Sequence, residues 1–123
     1  MGNDNVFSYR KLNVYTKIQK WVLMVYALLK KFPKEEQYAL CDQLRRSAIS
    51  VCSNVAEGSS RSSKREFAHY IEISYGSLME AQSQLELSQM LGYISDYDIK
   101  EIEVHTDEIA RMLSGLRSSL TGK

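Results

Sequence analysis

Hydrophobic positions recur along this chain at alternating steps of three and four residues, in four separate stretches. In the first, from about Asn13 to Phe32, Val14, Ile18, Trp21, Val25, Leu28 and Phe32 fall on one helical stripe. Pro33 ends it, because proline lacks the N–H needed to continue the ladder and restricts the residue before it. Lys30 and Lys31 stand at its C-terminal end, where positive charge suits the helix dipole. The second stretch is expected to start at Pro33 or Lys34, with Glu35 and Glu36 in its first turn. Its stripe is Cys41, Leu44, Ala48, Val51 and Val55, and Gly58 is the expected C′ residue. The small polar run Gly58 to Ser63 connects it to the third stretch.

That third stretch opens with Ser63 and Glu66 at capping-box spacing. Phe67, Ile71, Ser74, Leu78, Ala81, Leu85 and Ser88 follow in a heptad-like repeat, whose small members admit a close neighbouring helix. Gly92 ends it. The fourth begins at Ser95, carries Asp96 and Asp98 in its first turn, and continues through Ile99, Ile102, Thr106, Ile109, Leu113, Leu116 and Leu120. No stretch alternates as a strand does. Helices of roughly 20 to 28 residues with short connections pack antiparallel, so the expected fold is all-α, an up-down-up-down four-helix bundle. One domain is expected over residues 1–123, with residues 1–12 a flexible or irregular N-terminal segment.

Composition agrees with this and adds limits. A chain of 123 residues holds one core, not two. A single proline and six glycines leave few forced stops, which favours long helices. Lys plus Arg number 16 against 15 acidic residues, so the net charge of +1 lacks the strong basic footprint common in nucleic-acid binders. The N-terminus has no apolar signal run, and Val6 stands where a myristoylation motif needs Ser or Thr. The longest apolar run, Trp21 to Leu29, falls far short of the roughly 20 residues that span a bilayer. No membrane partner is therefore expected. Cys41 and Cys52, placed on one helix, would lie about 16 Å apart, beyond disulfide reach. Both suit a reducing cytoplasm, the expected location.

Two features exceed what a bundle core needs. Leu23 and Ala27 lie nearly opposite Val25 on the first helix, and Ile49, Cys52 and Ala56 widen the apolar arc of the second to about 180°. Clustered on consecutive helices, they point to self-association, with Leu23, Ala27, Ile49 and Ala56 the expected interface. Beside that arc runs a polar stripe, Gln43, Ser47, Ser50, Asn54 and Glu57. It reads either as a hydrogen-bond ladder or wet face, or as a recognition surface.

The segment Gln43-Leu44-Arg45-Arg46-Ser47-Ala48, with Ser50, Asn54-Val55-Ala56-Glu57-Gly58 and Arg61, resembles the proteins encoded within intervening sequences of 23S ribosomal RNA genes, sometimes labelled ribosomal proteins. Phe32-Pro33, Glu36, Leu40, Glu66-Phe67, Gly76-Ser77-Leu78 and Leu91-Gly92-Tyr93 extend the likeness over nearly the whole chain. Cys52 replaces a proline frequent in relatives, which makes the second helix more continuous. The resemblance implies a four-helix bundle, often assembled as a ring of five. It is also distantly similar to the accessory protein of diversity-generating retroelements, which binds nucleic acid and a reverse transcriptase.

Candidate chemistry is sparse. His69 and His105 do not supply the pair of Glu-x-x-His motifs that a di-iron site needs, since only His69 has a Glu three residues before it, and no nucleophile elbow, phosphate loop or Cys-x-x-Cys motif is present. No catalytic residue, metal, cofactor or small-molecule substrate is expected. Basic residues gather where the second helix turns into the third: Arg61, Lys64 and Arg65, with Arg45 and Arg46 upstream. Cations and hydroxyls at a helix N-terminus can hold a phosphate. Two readings stay open: a non-enzymatic oligomer that binds RNA or a reverse-transcriptase-like protein at this bend, and a structural oligomer or adaptor without nucleic acid.

Overall fold

The computed structural model describes residues 7–122. Four helices follow in order: α1 (Asn13–Leu29), α2 (Leu40–Ser59), α3 (Lys64–Met90) and α4 (Asp96–Thr121). Neighbours around the bundle are α1 with α2, α2 with α3, α3 with α4, and α4 with α1. Side-chain pairs run in opposite directions along each contact. Ser47 meets Gln84 and Ser50 meets Ser77 across α2–α3. Lys17 meets Glu108 and Lys31 meets Asp98 across α1–α4. The architecture is the antiparallel four-helix bundle that the periodicity requires.

Every stripe residue expected on α1 and α2 is buried, from Val14 to Phe32 and from Cys41 to Val55. Ile71, Ser74, Leu78, Ala81, Leu85 and Ser88 are buried on α3, and Ile102, Thr106, Ile109 and Leu113 on α4. The stripes fade where the bundle opens, leaving Phe67, Ile99, Leu116 and Leu120 only partly covered. Trp21, fully buried, donates its Nε1–H to Thr106 Oγ1 at 2.9 Å, and the Thr106 hydroxyl in turn donates a hydrogen bond to the Ile102 carbonyl at 3.0 Å. A polar threonine in an apolar stripe thereby satisfies the one indole.

Three local expectations change. The second helix does not start at Pro33 or Lys34. Lys34–Glu36 form a single 3-10 turn, the backbone breaks at Ala39 (φ −123°, ψ −97°), and α2 begins at Leu40. Side chains hold the break open: Arg45 donates to the Gln37 carbonyl and side-chain oxygens, while Tyr93 donates to Glu36 at 2.8 Å. Gly58 is not a C′ residue but a buried position inside α2, which continues through Ser59. At the start of α3, Ser63 Oγ accepts the Glu66 N–H, but the reciprocal half of the expected box is absent. Residues 1–6 of the N-terminal segment lie outside the described residues. Beyond them, Ser8–Lys11 form a 3-10 turn, and the Ser8 hydroxyl reaches the Ser59 carbonyl at 3.1 Å.

The α4 N-terminus carries a complete capping box between Ser95 and Asp98. Lys31 adds two bonds of 2.9 and 2.8 Å to the Asp98 carboxylate. The lysine bonds, then the Ser95 backbone N–H, hold Asp98 below the usual carboxylate range. A lowered folded pKa contributes stability that is complete above the unfolded value near pH 3.9 and is lost as pH falls through the folded value. Asp98→Asn should therefore unfold about 1 kcal/mol more easily at neutral pH, the half-exposed lysine keeping the effect small. The gap from the parent should close in acid, which urea titrations at neutral pH and at about pH 3 would show.

Candidate functional site

The polar stripe of α2 faces α3 and is hydrogen-bonded along its length. Gln84 Nε2 donates to Gln43 Oε1 at 3.3 Å, and Ser47 Oγ donates to Gln84 Oε1 at 2.9 Å. The Ser50 and Ser77 hydroxyls share a 2.8 Å bond, and Asn54 Nδ2 donates to the Ser50 hydroxyl at 2.9 Å. The buried Ser74 hydroxyl donates to the Val51 carbonyl at 2.7 Å. At the far end Gly58 lets the backbones close in: a Cβ built there would stand 2.6 Å from Tyr70 Cβ. The signature segment is thus a seam between two helices, fixed by small residues and neutral hydrogen bonds of about 1 kcal/mol each.

The basic bend follows directly. Arg61 is engaged: its guanidinium donates to Glu57 and to the Tyr70 hydroxyl at 2.7 Å, with its central carbon 4.7 Å from the Tyr70 ring centroid. Lys64 and Arg65 are exposed and form no ion pair among the described residues. An open groove of 670 Å³ lies here, lined by Arg61, Ser63, Arg65, Glu66, His69 and Tyr70. The two upstream arginines separate. Arg45 is tied to Gln37 and to Asp42 at 3.2 Å, whereas Arg46 is 82% exposed and only 4.0 Å from Asp42 at its nearest. The fold therefore offers Lys64 and Arg65 freely, Arg61 through its outer edge, Arg46 separately, and Arg45 hardly at all.

On the outer face of the α1–α2 pair, Leu23 is 70% exposed and Ile49 is 45% exposed. With Val22 and Cys52 they line one groove of 480 Å³. Ala56, half-buried, sits seven residues beyond Ile49, on the same side of α2. Ala27 instead lines the crevice between α1 and α4, beside Met24 and Lys31. Burial pushes the Cys52 thiol up, against a smaller opposing effect of the Tyr15 hydroxyl beside it. Cys41 is fully buried and raised for the same first reason. Both cysteines are free.

His69 and His105 are exposed. Among the described residues no three of His, Cys, Asp or Glu are placed to hold a metal ion, and no helix is long and apolar enough to cross a membrane. Sequence reasoning missed the partners: Gln37, Tyr70, Ser77 and Gln84 hold the named residues in place. Ser77 could have been found from the small positions of α3, whereas Gln84 lies one residue off its stripe.

Fold and site define a class, the four-helix bundle with a polar α2–α3 seam and apolar side chains turned outward on α1–α2. Residues 10–115 match the 23S rRNA-intervening sequence protein family, and the chain belongs to it. Among solved structures, it is similar to a protein of unknown function from the S23 ribosomal protein family of Bacteroides thetaiotaomicron, with a TM-score of 0.77. The two are 22% identical, over 84% of this chain and 96% of that one. None of the curated proteins matches the chain.

Proposed function

We propose that this chain is a non-catalytic bundle protein that acts as an assembly of identical copies, joined through the outer face of α1 and α2. The observation that carries this reading is the groove shared by Leu23 and Ile49. It joins apolar side chains of two helices that the bundle's own core does not need. Family membership supports the reading, with five copies the count that the sequence resemblance implies. Glutamate at both Leu23 and Ile49 buries charge in such a contact and leaves the core untouched. The double variant is expected to keep its helical circular dichroism and fall to single-chain mass in light scattering. An unchanged oligomer mass would overturn the reading.

A second reading is favoured by the groove at the bend, which Arg65 lines together with Tyr70 and His69, with the exposed Lys64 next to it in the chain. Here the assembly binds single-stranded RNA, phosphates meeting Lys64 and Arg65 and a base stacking on the Tyr70 ring. One subunit of net charge +1 binds weakly, and repeated copies raise avidity without new contacts. Alanine at Lys64 and Arg65 leaves the Glu57–Arg61–Tyr70 cluster intact. It is expected to weaken filter-bound RNA about tenfold or more at low salt, with the oligomer unchanged. Equal binding by parent and variant would leave the assembly without an RNA role at this bend.

A further inference from the structure

The opposite helix pair carries a groove that neither reading uses. Between α3 and α4 lies an open hollow of 660 Å³, lined in part by Tyr75, Met79, Gln82, Glu86, Glu103 and Val104. Past Tyr75 it continues into a second hollow of 390 Å³, where Ile71 and Leu113 are the buried apolar lining. From residue 71 to residue 86 the groove follows α3 for about 22 Å, four turns of helix. Its apolar contributors Tyr75, Met79 and Val104 are all exposed. Its charged groups carry more acid than base. Glu72, Glu86, Glu103 and Asp107 line the two hollows against Lys100 and Arg117; Glu72 is paired with Arg117 and Asp107 with Arg111, which leaves Glu86 and Glu103 without an ion-pair partner among the described residues. Gln82 is buried to 9% exposure and gives its amide N–H to Glu86 at 3.4 Å, yet its Oε1 has no hydrogen-bond donor. Turning the amide over would set its oxygen against the Glu86 carboxylate, so the orphan oxygen is not a misplaced nitrogen.

We propose that this seam docks a basic amphipathic helix of a partner protein. Its apolar stripe lies on Tyr75, Met79 and Val104, and a Lys or Arg beside that stripe meets the acceptors. An extended, open trough four turns long suits a helix laid along it better than a compact small molecule. The net negative lining, with Glu86 and Glu103 unpaired, favours a cationic partner over a nucleic acid. A Lys or Arg side chain is also the donor that Gln82 Oε1 lacks, reached once the terminal amide swings toward the groove.

The test uses two fluorescent 18-residue peptides, designed helical with the same leucine stripe, one flanked by Lys and Arg and the other by Glu. Anisotropy titrations of the full chain at low salt are expected to favour the basic peptide by about tenfold or more. Amide shifts on titration are expected along residues 71–86 and 100–113, and not on the outer face of α1–α2. Glu103→Lys with Val104→Arg, both on the exposed face of α4, should weaken the basic peptide by about tenfold with helicity retained. Gln82→Leu should weaken it too, while raising thermal stability by removing the unpartnered oxygen. Equal affinity for the two peptides, shifts confined elsewhere, or wild-type affinity in both variants would overturn the proposal. So would a changed oligomer mass in the Glu103, Val104 double variant, which would assign the seam to contacts between copies of this chain.

Discussion

Truncating Trp21 to alanine is expected to lower the unfolding free energy by about 3–5 kcal/mol, the range for emptying an aromatic site in a close-packed core. Trp21 is the largest side chain with no solvent exposure, and it sits on the α1 stripe that faces α4. Its loss leaves a cavity where α1 meets α4, and it also removes the donor on the buried Thr106 hydroxyl oxygen. Phenylalanine separates the two effects. Trp21→Phe keeps most of the volume but not the N–H, and should cost about 1–2 kcal/mol. Urea unfolding at one fixed protein concentration measures both, because association would otherwise add to apparent stability. A smaller loss for alanine than for phenylalanine would mean that Trp21 is not the packing centre of the α1–α4 contact.

Alanine at Gly58 is expected to destabilise by about 1–3 kcal/mol, although alanine is intrinsically the better helix former by about 1 kcal/mol. The added methyl would meet Tyr70 Cβ at 2.6 Å and the Phe67 ring at 3.0 Å. A β-carbon cannot swing aside as a side-chain tip can, so α2 and α3 must part. Separation would stretch the Ser50–Ser77 bond and disturb the Arg61–Tyr70 cluster two turns away from it. Gly76 is the internal control: nothing stands within 4 Å of a Cβ placed there. Gly76→Ala should therefore stabilise by about 0.5–1 kcal/mol, through propensity and a less flexible unfolded chain. Opposite signs in the two melting temperatures would establish Gly58 as a packing residue. Stabilisation by both would show that the α2–α3 approach is looser than described.

These two positions also show what the sequence could and could not disclose. The Trp21 environment was readable, because burial follows from a period of three and four, and each of the four stripes is long. The Trp21–Thr106 pairing was not, since periodicity says which face is inward but not which residues meet across it. From sequence Gly58 reads as a helix end, because glycine beside a polar run commonly stops a helix. Its backbone is ordinary, with positive φ confined to Gly92 and Gly122 among the described residues, and its role comes from a neighbour nine to twelve residues on. The delayed start of α2 was hidden for a similar reason. Pro33 and two glutamates form a good local helix signal, and only the distant Tyr93 and the downstream Arg45 reveal why the chain waits until Leu40. The basic bend was legible as composition, whereas the difference between the tied Arg45 and the free Arg65 depends on Gln37 and Asp42.

Arg61 joins the stability of the bundle to the shape of the groove at the bend. Its bonds to Glu57 and Tyr70 fasten the end of α2 to the first turns of α3, and the same ring floors the groove at the bend. Removing it would weaken the fold and the groove together, whereas Lys64 and Arg65 stand outside the Glu57–Arg61–Tyr70 cluster. The apolar groove between α1 and α2 has no such double role. Leu23 and Ile49 contribute little to the core, so their replacement reads association alone.

Light scattering coupled to size exclusion, on the parent chain at micromolar concentration, tests the proposed assembly of identical copies most directly. The expected mass is a fixed multiple of 14.1 kDa, five copies being the favoured count, and it should hold across a dilution series. A mass of 14.1 kDa at every concentration would contradict it.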